Sequence, residues 1–139
     1  MAFSDEEVAY LRSQPIARLA TVDRFGQPDV VPVSFEVDDD SNIWVGGVGA
    51  EVARTRKFRN IGSGGAKVSL VVDDLRSMEP FVARALRVYG LAHPPVERVG
   101  MVGPGLYSRI TPTVSWSWNL AGEPAGDQWY PARRTVHNA

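Results

Sequence analysis

From Val31 to Val37 the chain reads "VPVSFEV", with Val31, Val33, Phe35 and Val37 alternating with Pro32, Ser34 and Glu36. That period of two belongs to a strand with two unlike faces. Pro32 lacks an N–H for a ladder, so it predicts a sheet edge or an irregularity. Upstream, "IARLATVD" and the turn "RFGQPD" around Gly26 make a hairpin with this strand. Downstream, an acidic turn over residues 38–42 is followed by "IWVGG", "KVSLVVDD", "PFVARALRVYGLA" and "TPTVSWSW". Two helices complete the reading. One spans about residues 4–13, where Ser4 and Glu7 form a capping box and Phe3 can staple to Val8, and it ends before Pro15. The other covers about residues 52–61. Six short strands adjacent in sequence, with short helices, predict a mainly β antiparallel barrel or strongly curved sheet.

At 139 residues the chain suits one domain, 1–139. Residues 121–139, rich in Gly, Pro and polar groups, predict an irregular tail, with a partner surface as one place for it to lie. The formal charge of -1 provides no global basic field for nucleic acid or an anionic membrane, so any basic site must be local. With no cysteine there is no disulfide or thiolate chemistry. The acidic start "MAFSDEEVAYL" is unlike a signal peptide, and no apolar run approaches the ~20 residues of a membrane span. A cytoplasmic protein is expected. His93 and His137 are the two histidines and lack zinc-site spacing, so no metal site is expected. No nucleophile elbow or triad is visible. The glycines of "NIGSGGAK" follow a helix and lack a Gly-Lys-Ser/Thr ending, so they read as a helix stop and loop.

One stretch stands out. "RTRKFRN", residues 54–60, holds four cations in seven positions. On a helix Phe58 and Ile61 share a core-facing side and leave Arg56 free to face a ligand, with Lys57 one step round. Thr55 adds a hydroxyl donor, and free N–H groups at the helix start favour an anion. Arginine, far commoner here than lysine, grips phosphate or carboxylate in a bidentate way. A solvated basic helix face fits the charge density equally well.

The run "LATVDRFGQPDVVPVSFEVDDD" with "TRKFRN", "KVSLVVDD", "RVYGLA" and "RITPTVSWSWNL" resembles the pyridoxamine 5'-phosphate oxidase superfamily of flavin-binding split β-barrels. Within it, the likeness is greatest to an actinobacterial branch of small oxidoreductases that use the deazaflavin coenzyme F420. The resemblance covers about residues 4–120 and implies a six-stranded antiparallel split β-barrel of the FMN-binding type. It also implies a homodimer with cofactor sites between protomers, the phosphate held by Arg56 and Lys57, and Thr55 at the small-hydroxyl position. Val31, Pro32, Val33 and Ser34 match the strand that lines the ring. Gly46 and Gly47 would leave room for a planar ring or mark an ordinary glycine turn. Asn60 reads either as a contact or as a helix-end polar residue. Arg54 and Arg59 suit the carboxylates of a deazaflavin tail, or a solvated surface.

In the last strand Val114, Trp116 and Trp118 share one face and Thr113, Ser115 and Ser117 the other. The resemblance brings this strand, with Ser115 and Trp116, to the cofactor; packing is the alternative for the tryptophans. Arg87, on one face with Tyr89, either reaches the cofactor or pairs with an acid. The family enzyme's substrate-holding Arg and His lie one residue apart, whereas Arg133, Arg134 and His137 have other spacings, which argues against pyridoxamine phosphate as substrate. The implied reaction is hydride transfer from reduced F420 to an unsaturated small-molecule acceptor, with no catalytic side chain assigned. The alternatives are an FMN-dependent oxidase or reductase of the same fold, and a non-catalytic protein binding a flavin, deazaflavin or haem-like ligand.

Overall fold

The computed structural model describes residues 2–47, 55–62 and 66–137. The elements are α1 (Asp5–Ser13), β1 (Ala17–Val22), β2 (Pro28–Val33), β3 (Phe35–Val37), β4 (Ile43–Gly47), α2 (Arg56–Ile61), β5 (Ala66–Met78), β6 (Phe81–Ala92), β7 (Val96–Gly100), β8 (Gly103–Trp118) and β9 (Ala132–Val136). The described residues thus hold nine strands where six were expected. The predicted second strand divides at Ser34 into β2 and β3, and β7 and β9 are additional. The tail is irregular up to Pro131, but Ala132–Val136 then pairs with Val114–Trp118 of β8.

The sheet runs β2-β1-β5-β6-β8-β4-β3, with β7 and β9 also on β8. Its two end strands, β2 and β3, are separated in the chain by Ser34 alone. A sheet whose opposite ends are joined by one residue must curl until those ends meet, which gives a barrel left open at that seam. Pro32 lies in β2, the end strand, where a missing donor costs no ladder bond. Pro112 of β8 sits where the β6–β8 register slips between Tyr89 and Gly90, the other place a strand proline is tolerated.

Leu19, Phe35, Ile43, Leu70, Leu86 and Ile110 fill the barrel, closed by Tyr10 and Leu11 from α1 and by Phe58 and Ile61 from α2. The capping box is formed: Glu7 N donates to Ser4 Oγ (3.1 Å) and Ser4 N donates to Glu7 Oε1 (2.9 Å). Glu7 is also fully buried, at 0% exposure, and accepts from Ser117 Oγ at 2.8 Å, with Arg133 Nη1 3.7 Å away. One carboxylate therefore joins α1, β8 and β9.

The two faces of β8 are inverted relative to hydropathy. Ser115 and Ser117 point inward and Trp116 and Trp118 stay half-buried outside. Ser115 is tolerated inside because its Oγ shares a 2.8 Å hydrogen bond with His137 Nε2. The His137 ring meets Phe3 edge-on, 4.7 Å between centroids. Burial lowers its pKa below the ordinary imidazole value, partly opposed by the Glu7 carboxylate. Because the unfolded chain protonates more readily, the stability that neutral His137 contributes is complete above about pH 6.5. It is lost as pH falls from there through the lowered folded value. The expected result is a steeper fall in melting temperature between about pH 7 and 5 for the wild type than for His137→Gln. Parallel slopes in thermal melts would remove this assignment.

Candidate functional site

The short helix α2 is anchored by buried Phe58 and Ile61 and stops at Gly62, which has φ 60°. Residues three apart share a side of a helix, so Arg56 and Arg59 both project to solvent. Facing them is the β1–β2 turn, shaped by Asp23, whose Oδ1 accepts from Phe25 N (2.8 Å) and Gln27 N (2.9 Å). The bonds from Gln27 and Phe25 hold its carboxyl below the usual range. Arg24 lies 4.7 Å from the centroid of the exposed Phe25 ring. Between turn and helix opens a cleft of about 610 Å³ lined by Asp23, Arg24, Phe25, Arg56, Arg59 and Asn60, with Val22 at its edge. Asn60 Nδ2 donates to the buried Thr21 Oγ1 at 2.9 Å and thereby ties α2 to β1. Three guanidinium groups against one carboxylate give the cleft a positive balance, and their forked donors have the geometry of phosphate and carboxylate oxygens.

Arg56, Arg59 and Asn60 were read from the sequence, while Arg24 was not. Lys57 departs from the expected pair. Its Nζ lies 5.5 Å from the centroid of the buried Phe58 ring, and burial lowers its pKa. Thr55 is the N-cap of α2, its carbonyl accepting from Arg59 N at 3.0 Å. Arg54 lies outside the described residues.

The strand residues separate by sheet face. Register partners on neighbouring antiparallel strands share a face. The pairs Pro32–Arg18, Arg18–Val71, Val71–Arg87, Arg87–Trp116 and Trp116–Arg134 therefore form one lateral row on the outside of the barrel. The next row toward the cleft runs Val30, Ala20, Ser69, Tyr89, Val114 and Val136. Beyond it is Val22 paired with Pro28, so Val22 belongs both to this face and to the cleft wall. In the first row the Arg87 guanidinium lies 4.1 Å from the centroid of Trp116, with Tyr89 and Trp118 at 5.4 and 5.6 Å. Among the described residues its Nε is buried and has no hydrogen-bond partner. A polar N–H in that condition costs about 1–3 kcal/mol.

Pro32, Arg87 and Trp116 are thus brought together on one face, and Arg18 and Arg134 join them. Val33 and Ser115 are not, since both are buried in the interior. Val31 packs partly buried against the core, and exposed Ser34 is the link between β2 and β3. At Gly46 the close neighbour is β8: a Cβ there would strike Leu106 O and stand 2.8 Å from Tyr107 Cα. Its missing side chain admits β8. Gly47 pairs with Leu106 in the same ladder. Arg133 Nη1 lies 3.7 Å from Glu7 and His137 is hydrogen-bonded to Ser115.

A relative from Streptomyces rimosus, 5a,11a-dehydrotetracycline/5a,11a-dehydrooxytetracycline reductase, is 42% identical over 92 residues, which are 66% of this chain and 63% of that protein. The chain therefore aligns with less than two thirds of that relative's length. Among solved structures, conserved hypothetical protein Rv2991 from Mycobacterium tuberculosis superposes with a TM-score of 0.66 at 21% identity, covering 92% of this chain and 93% of the other. An FAD binding protein from Mycobacterium smegmatis gives 0.62 at 16% identity, covering 97% and 98%. Both share the fold. The family model described as pyridoxamine 5'-phosphate oxidase matches residues 3–100, from two residues before α1 to the end of β7. With most of its length matched in this way and an open barrel to accompany it, the chain belongs to the pyridoxamine 5'-phosphate oxidase family.

Proposed function

We propose that this chain is an oxidoreductase that transfers a hydride between reduced coenzyme F420 and an unsaturated organic acceptor, acting as a homodimer. The observation that carries the reading is the junction at Val22 of an arginine-lined cleft with a sheet face on which Arg87 lies over Trp116 with an unpartnered Nε. A cofactor with an anionic tail and a planar head requires those two features side by side. The reductase activity named for the S. rimosus relative supports the reaction class. Three arginines, Arg24, Arg56 and Arg59, favour a deazaflavin over FMN, because one phosphate leaves forked donors unused whereas added carboxylates would take them up.

When bound, the deazaflavin supplies the hydride chemistry. The chain's residues bind and orient. Arg24, Arg56 and Arg59 would hold the anionic tail, and Arg87, stiffened by Trp116, would present its terminal guanidinium nitrogens to a ring heteroatom. The hydroxyls of Ser115 and Ser117 are engaged inside the barrel by His137 and Glu7, so neither delivers a proton on this face. Val30, at 65% exposure, together with exposed Tyr89 and Val136, offers apolar surface that a second copy would cover while excluding water.

Fluorescence titrations with F420 and with FMN test the reading, with tighter binding of F420 expected. Preference for FMN would favour the flavin enzyme, and binding of neither would end the proposal. Arg87→Met should lower F420 affinity tenfold or more, on the order of 1.4 kcal/mol. It should change the ligand-free melting temperature little, because loss of the cation–π contact is offset by loss of the unpartnered N–H. Oxidation of reduced F420 on adding an acceptor separates an enzyme from a binding protein.

A further inference from the structure

At the end of the same outer face, away from the arginine cleft, lies a second cavity of about 330 Å³, within the range of small-molecule pockets. Its floor is made by Ala83 and Ala85, its sides by Leu75 and Trp118, and its outer wall by Trp129 and Tyr130 of the irregular segment after β8.

That segment is held with unusual care for one lacking regular structure. Asn119, at φ 52°, donates through Nδ2 to Ala83 O and Glu123 O, both at 2.8 Å, and accepts from Glu123 N at 2.8 Å. Ala125 N donates to Phe81 O at 2.8 Å. Tyr130 Oη donates toward Glu123 O (3.0 Å) and Phe81 O (3.2 Å) and accepts from Ala83 N (3.5 Å). These bonds hold the segment that carries Trp129, whose ring lies 5.1 Å from Tyr130 and 6.2 Å from Phe81 and which is 64% exposed. An exposed aromatic ring beside an alanine floor, on a segment tied down by hydrogen bonds, offers a flat molecule a face to stack on.

Charge decides what kind of flat molecule. The slot has two carboxylates, and both are already matched. Asp74 meets Arg84 through two hydrogen bonds of 3.0 and 2.9 Å and accepts from Tyr10 Oη at 2.7 Å. Asp73 lies 3.2 Å from Arg18 Nε. Burial of Asp74 is outweighed by the bonds from Arg84 and Tyr10, so it stays ionised below the usual range and Arg84 stays charged. A cation entering the slot would find no free carboxylate, and an anion no free guanidinium.

We infer that this slot binds a neutral, planar, fused-ring organic molecule between Trp118 and Trp129. Identifying that molecule as the acceptor substrate rests on the oxidoreductase reading above; the slot itself does not. Acridone, a neutral fluorescent tricycle, is the probe, followed by its own anisotropy on the whole protein. Saturable binding is expected, weakened at least tenfold in Trp129→Ala, which alters only the exposed wall, and in Ala85→Leu, which fills the floor. Arg56→Gln should leave acridone affinity unchanged. No saturable binding, equal affinity in Trp129→Ala, or tighter binding of the cation 9-aminoacridine would overturn the inference. Acridone binding with these dependences but without F420 binding would sink the oxidoreductase reading and leave the slot standing. F420 binding without acridone binding would do the reverse.

Discussion

Arg56→Gln combined with Arg59→Gln is expected to weaken F420 binding by roughly 100-fold or more, because each guanidinium lost removes charge-assisted hydrogen bonds of about 1.5–3 kcal/mol. Both side chains are exposed and point into one cleft with Arg24. The fold should survive, since α2 is held by buried Phe58 and Ile61 and by the Asn60–Thr21 bond, all left in place. Lys57→Gln should have a clearly smaller effect on affinity, because its ammonium lies against the Phe58 ring. Titration by F420 fluorescence, with circular dichroism as the fold control, reads both variants. A folded double variant with wild-type affinity would show that the anion site lies elsewhere, and a larger loss in the lysine variant would restore the Arg56–Lys57 pair.

Gly46→Ala is expected to cost about 3 kcal/mol of stability, near the upper end for overpacking. The added methyl would meet Leu106 O and Tyr107 Cα, which are backbone atoms and cannot rotate away. Both belong to β8, which is paired at this level with β4 and β7, so a local shift would disturb two ladders. Urea unfolding should show a lower midpoint with an unchanged slope. If the variant unfolds like the wild type but binds F420 more weakly, Gly46 faces the ring after all, the role its resemblance suggested.

The same glycine illustrates which features were legible beforehand. Neighbours in sequence announce themselves: the Ser4–Glu7 capping box, the Gly26 turn and the alternation of β2 all depend on residues within a few positions. Features that need a distant partner do not. Gly46 looks like a flexible point until Tyr107 is placed beside it. β9, "ARRTV" in a Gly/Pro-rich tail, has modest strand character of its own and exists because β8 offers it a ladder. Ser34 gives no sign of a break because one residue suffices to divide β2 from β3. At the site, the cation density of residues 54–60 and the core-facing side of Phe58 and Ile61 were plain, but it takes the facing β1–β2 turn to put Arg59 with Arg56 in one cleft and leave Lys57 against the Phe58 ring. Arg24 was invisible as a partner because the β1–β2 turn reaches α2 only in three dimensions. On β8 the alternation was read correctly, yet which face is inward depends on Glu7 and His137, which give Ser117 and Ser115 their partners.

The single-residue join at Ser34 also sets an order of events for a chain emerging from a ribosome. Both ends of the sheet lie in its first third, yet β4 must wait for Ile43 to meet Ile110, and β1 for Leu19 to meet Leu70. The β1–β2 and β3–β4 hairpins can form early, side by side, but the barrel cannot close until β8 has been made. During that interval the nascent protein presents two unfinished edges, so slowing translation after β4 should favour aggregation, whereas speeding delivery of β8 should suppress it.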